Sequence, residues 1–91
     1  MLKAKKGFSL RKVGEQFVIV PVGEGTKIMR GIINVNETGA FIFKSLINGS
    51  SFDELVSDYM IEYEIEKELA VSDVTSVINI LRKHNMLEED D

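Results

Sequence analysis

The hydrophobic period of this chain changes once, near Asn36. Before that point apolar residues alternate with polar ones or run together as β-branched stretches; after it they recur at helical spacing. A chain built this way forms its sheet first and must cover the sheet's apolar face with helices, because 91 residues supply nothing else to cover it. The expected fold class is α+β: an N-terminal three-stranded antiparallel β-sheet followed by three α-helices, in one domain spanning 1–91 with an ordered core from about 8 to 87.

Residues 8–13 form the first expected strand, with Phe8 and Leu10 on one face. Gly14-Glu15 follows, and glycine at the first turn position suits a type II′ hairpin. Residues 16–22, QFVIVPV, are apolar on both faces, which places them centrally in the sheet; Pro21 lacks a ladder donor and belongs near the strand end. Gly23-Glu24-Gly25 reads as the next hairpin turn. Residues 28–35 then read as a third strand, with Gly31 a bulge or a point of close approach.

The helices announce themselves through their ends. Asn36 is a good N-cap with Glu37 in the first turn, and Asn48-Gly49 supplies a left-handed stop; Ala40, Phe43, Leu46 and Ile47 make the core stripe between them. Ser51 and Glu54 form a capping box, and Phe52, Leu55, Val56, Tyr59, Met60 and Tyr63 follow on one face. The third helix spans about 66–84 with Ala70, Val74, Val77, Ile78 and Leu81 inward. Arg82, Lys83 and His84 suit its C-terminal dipole, and Asn85 suits a left-handed cap before Met86 and Leu87 return to the core. The second and third helices together resemble a helix-turn-helix unit.

Composition removes several classes of function. With no cysteine, disulfides, zinc–thiolate sites and iron–sulfur clusters are excluded. No segment approaches the length of a membrane span, and the basic residues at the start lead into no apolar stretch, so the expected setting is cytoplasmic. Lys3, Lys5, Lys6, Arg11 and Lys12 at one end and Glu88, Glu89, Asp90 and Asp91 at the other read as solvated tails. A net charge of −4 is not the electrostatic footprint of a nucleic-acid binder.

No residue pattern carries catalysis. His84 stands alone, in a helix end, with no nucleophile to activate. Glu62, Glu64, Glu66 and Glu68 are spread along a surface connection rather than converging, so no metal site is expected. Gly23-Glu24-Gly25 lacks the lysine and helix of a phosphate loop. Tyr59, Met60 and Tyr63 fit the core stripe. Two features remain. The third strand carries Arg30, Gly31 and Asn34 among apolar residues, which fits either an edge that accepts an added peptide strand or an edge blunted against pairing. On the third helix Leu69 and Ile80 lie off the core stripe beside Asp73 and Ser76, which fits either a groove flank or a broad core face.

The stretch Gly31-Ile32-Ile33-Asn34-Val35-Asn36-Glu37-Thr38-Gly39-Ala40-Phe41-Ile42-Phe43, then Leu46 and Gly49, resembles the core of PqqD-like proteins, with Val35 where leucine is usual and Phe43 where tryptophan is frequent. The later Phe52-Asp53-Glu54-Leu55, Tyr63-Glu64-Ile65-Glu66, Asp73-Val74, Leu81 and Asn85-Met86-Leu87 are similar to the same family's second half, with Asn85 in place of its glycine. The resemblance implies a winged-helix-like domain without enzyme activity that recognises ribosomally made, modified peptides. It implies that the leader segment of a precursor peptide pairs with the third strand and packs on the third helix, and is presented to a modifying enzyme, often a radical SAM protein. Carried onto this chain, the peptide site comprises Met29, Arg30, Gly31, Ile32, Ile33 and Asn34 on the strand and Leu69, Asp73, Ser76 and Ile80 on the flank. No catalytic residue, metal or cofactor is expected, no nucleic acid or membrane partner, and a monomer or homodimer. The form is not particular to pyrroloquinoline quinone synthesis.

The alternative is a winged-helix nucleic-acid-binding regulator. Against it, the third helix presents Asp73, Ser76 and Asn79 before any basic residue, whereas a recognition helix reads bases from its N-terminal half.

Overall fold

In the computed structural model, which describes residues 1–89, the hairpin is set by a two-residue loop. Val13 faces Gln16 across it, and Gly14 takes φ +65° while Glu15 stays at negative φ, as a type II′ turn requires. A short strand β1 (Leu2–Ala4) precedes the hairpin strands β2 (Phe8–Val13) and β3 (Gln16–Pro21). A 3₁₀ turn (Gly23–Lys27) leads towards β4 (Ile33–Val35). The helices are α1 (Glu37–Ile47), α2 (Phe52–Tyr63) and α3 (Lys67–Lys83), and β5 (Leu87–Glu89) follows. The three-stranded sheet has the antiparallel order β2-β3-β4, and β1 pairs antiparallel with β5. The architecture is α+β and winged-helix-like.

Register explains which sheet face meets the helices. Leu10 lies opposite Ile19, and Ile19 opposite Ile33; Phe17 lies opposite Val35. Of these, Leu10, Ile19, Ile33 and Val35 join the core with Phe43, Leu46, Leu55, Tyr59, Val74 and Leu81 from the helices. As expected, β3 is central and Pro21 ends it. The caps also fall where local chemistry puts them. Asn36 accepts the Gly39 N–H, Ser51 accepts the Glu54 N–H, and Asn85 is left-handed at φ +58°.

Five expectations are corrected. The third strand is only three residues long: Ile28 and Met29 both donate their N–H groups to the Gly25 carbonyl, and the Met29 side chain turns into the core, which carries 28–32 out of the sheet. Gly31 is therefore a turn residue at φ +84° and not a bulge. Gly23-Glu24-Gly25 is no hairpin turn but the start of the 3₁₀ turn, held by Thr26 Oγ1 donating to the Gly23 carbonyl at 2.7 Å. In α1, Ile42 is fully buried while Ile47 is exposed: the sheet, β1, α2 and α3 cover the side of α1 that carries Ile42, Phe43 and Leu46, and Ile47 lies off that side.

The fifth correction concerns the ends. Residues 2–4 are no solvated tail: Leu2 exchanges backbone hydrogen bonds with Ser50, Lys5 N–H donates to the Met86 carbonyl, and Ala4 is buried in the core. Glu88 and Glu89 belong to β5, and Glu89 pairs with Arg82 at 2.6 Å on the surface. Asp90 and Asp91 lie outside the described residues. Among the described residues, no helix is long and apolar enough to cross a membrane.

Candidate functional site

β4 is the last strand of its sheet, so the N–H and C=O groups on its outer side have no strand beside them among the described residues. Beside it opens a groove of about 340 Å³. One wall is the passage from β4 into α1, contributing Asn34, Val35, Asn36, Thr38 and Gly39; the other is the middle of α3, contributing Asp73, Ser76, Val77 and Ile80. Ile42 is the remaining lining residue. The geometry follows from local structure. The Asn36 cap turns the chain sharply from strand to helix, and Asp73, Ser76, Val77 and Ile80 share one side of α3 by their spacing of three and four residues.

The groove has a polar end and an apolar end. At the polar end the Tyr59 hydroxyl donates to Asp73 Oδ2 at 2.8 Å. Burial pushes the Tyr59 hydroxyl above its ordinary pKa; a hydrogen bond with Thr38 opposes this, and the Asp73 carboxylate adds to it. Tyr59 is thus a core residue, as its spacing suggests, whose polar tip also fixes a groove carboxylate. Ser76 Oγ donates to the Ser72 carbonyl at 3.0 Å, an internal helix bond. At the apolar end Ile80 is 42% exposed, a large hydrophobic side chain with room for a partner.

Of the residues expected at a peptide site, the groove brings together Asn34, Asp73, Ser76 and Ile80. Ile33 lies on β4 with its side chain packed against the core. Arg30, Gly31 and Ile32 are exposed on the loop before the edge, and Met29 is buried, so none of the four is part of the strand. Leu69 is exposed one turn before Asp73 and does not line the groove. Val35 is foreseen only as the end of the pairing strand; the residues not foreseen are Asn36, Thr38, Gly39, Ile42 and Val77. Their visible signal is spent on capping and packing, which is why sequence reasoning assigned them no further role.

Elsewhere the arrangement offers little chemistry. His84 closes α3 as its C-cap, on the surface. Glu62, Glu64, Glu66 and Glu68 are all exposed, and among the described residues no group of acidic or histidine side chains is placed to hold a metal ion. A second hollow of about 330 Å³, between Leu2, Phe52 and Ile78, adjoins no strand of the three-stranded sheet.

Two solved structures share this fold. TbiB1 in complex with the TbiA(beta) leader peptide superposes with a TM-score of 0.73 at 17% identity, covering 98% of each chain. Lasso peptide synthetase B1 complexed with the leader peptide superposes with a TM-score of 0.71 at 20% identity, covering 97% of this chain and 98% of that one. No curated protein matches the sequence. The family model for coenzyme PQQ synthesis protein D (PqqD) matches residues 16–87, a span that takes in β3, β4, all three helices and both walls of the groove. By that match the chain belongs to the PqqD family.

Proposed function

We propose that this protein is a non-catalytic peptide-recognition module that captures the leader segment of a precursor peptide and presents it to a modifying enzyme, such as a radical SAM protein. The peptide adds as a strand to the open edge of β4 and lays alternate side chains into the groove against α3. The observation that carries this reading is the coincidence of a free strand edge with a groove walled by a helix. The two solved structures of the same fold, each complexed with a leader peptide, support it. A cytoplasmic setting fits a small domain folded without disulfides.

Magnitudes decide how the work divides. A three-residue antiparallel edge offers two to four outward main-chain bonds, each contributing about 0.5–1.5 kcal/mol net. Even the upper end of that sum falls short of the roughly 8 kcal/mol that micromolar affinity needs. Apolar burial at Ile80 and Val77 must supply the rest, at about 1.5–3 kcal/mol for each aliphatic side chain seated.

The test titrates the labelled chain with its leader peptide, taken from whichever short precursor is found encoded beside this gene, and reads amide shifts. Shifts are expected on residues 33–35 and along α3 from Asp73 to Ile80. Ile80→Asp places a charge in the groove while sparing the core, and is expected to weaken binding at least tenfold. Shifts confined to α2 or the N-terminal lysines, or a folded Ile80→Asp variant that binds like wild type, would overturn the site.

A further inference from the structure

Asp73 is the one charged side chain lining the groove. Among the described residues, only its Oδ2 is engaged, by the Tyr59 hydroxyl, and the single salt bridge is the distant Arg82–Glu89 pair. Asp73 is half-buried, on the α3 wall that the peptide would close over. A carboxylate covered in this way needs a donor or a cation to replace lost water, since burying it unpaired is costly. The neighbouring N-terminus of α1 does not serve. Its Gly39 N–H is already taken by Asn36 Oδ1, and a helix end amounts to only about half a positive charge.

We infer, on the basis of the strand addition proposed above, that the bound peptide places a lysine or arginine against Asp73 and an apolar side chain against Val77 and Ile80. The spacing follows from the two elements. Asp73 and Ile80 are seven residues apart on a helix that rises about 1.5 Å per residue, so they stand about 10.5 Å apart. Same-facing side chains of an extended peptide recur about every 6.7 Å, so the cation and the apolar anchor lie about two to four residues apart. The chain's net charge of −4 favours the approach of such a peptide.

The experiment pans a phage-displayed library of random peptides against the full 91-residue chain, in parallel with Asp73→Asn, Tyr59→Phe and Ile80→Asp. Wild type is expected to enrich a basic residue in fixed register with an apolar one. Asp73→Asn keeps an acceptor for the Tyr59 hydroxyl but not the charge; it is expected to lose the basic preference and to bind the selected peptides roughly tenfold more weakly, about 1.4 kcal/mol. Tyr59→Phe removes the bond but not the charge, and is expected to retain the preference. Peptides lost on Ile80→Asp but enriched in tyrosine or serine at that register, or showing no preference there, leave the groove standing and overturn the cation. Peptides indifferent to Ile80→Asp, or no enrichment at all, overturn strand addition and the cation together.

Discussion

Gly7 and Gly25 meet where no side chain fits. A Cβ on either would overlap the backbone of the other, and backbone has no rotamer to yield. The contact joins the approach to β2 with the 3₁₀ turn after β3, and is sealed by the Val22 N–H donating to the Gly7 carbonyl at 2.8 Å. Gly25→Ala is therefore expected to destabilise the fold by about 3 kcal/mol, at the upper end for overpacking. Gly14→Ala is the comparison: nothing lies within 4 Å of the added Cβ, so only the left-handed backbone is strained, at about 1–2 kcal/mol. Thermal unfolding of the two variants checks this, and equal midpoints would contradict it. Neither glycine's partner is visible in the sequence, because the contact spans 18 positions. The caps at Asn36, Ser51 and Asn85 are visible, because each depends on neighbours within a turn.

The same contrast separates the elements. The helices were legible because their apolar period repeats over many residues, and the hairpin because its turn chemistry is local. β1 was not: three residues carry no period, and its partner β5 lies at the far end of the chain. β4 was overestimated because Ile28 and Met29 look like strand residues, and only their packing reveals that they leave the sheet. On α3 the flank Asp73, Ser76 and Ile80 could be read from a helical wheel. The facing wall could not, since Asn36, Thr38 and Gly39 already had a role in starting α1. If β1 is structural, Ala4→Asp buries an unpaired charge and is expected to cost about 3 kcal/mol or more. A denaturant titration in which Ala4→Asp matches wild type would return residues 2–4 to the status of a tail.

Charge governs the behaviour of the molecule as a whole. Net −4 with Glu68 in the first turn of α3 disfavours phosphates, so duplex DNA binding is expected to be undetectable at physiological salt; a micromolar, salt-sensitive complex by anisotropy would contradict this. Stability should fall in alkali. Burial raises the pKa of Tyr59 and Tyr63 above the ordinary 10.0, so the folded chain keeps protons that the unfolded chain has lost. The stabilisation is complete below about pH 10 and disappears as pH rises through the folded values. Urea midpoints are expected to decline above that pH, and less steeply in Tyr59→Phe. A final consequence follows from the β1–β5 pair, in which Leu2 faces Glu89 and neither strand lines the groove. Because the two ends of the fold lie side by side, a short linker can join them and new ends can be cut at the Gly14-Glu15 turn. The same adjacency lets the domain be spliced into a surface loop of an enzyme, entering and leaving at one point, with the groove left open.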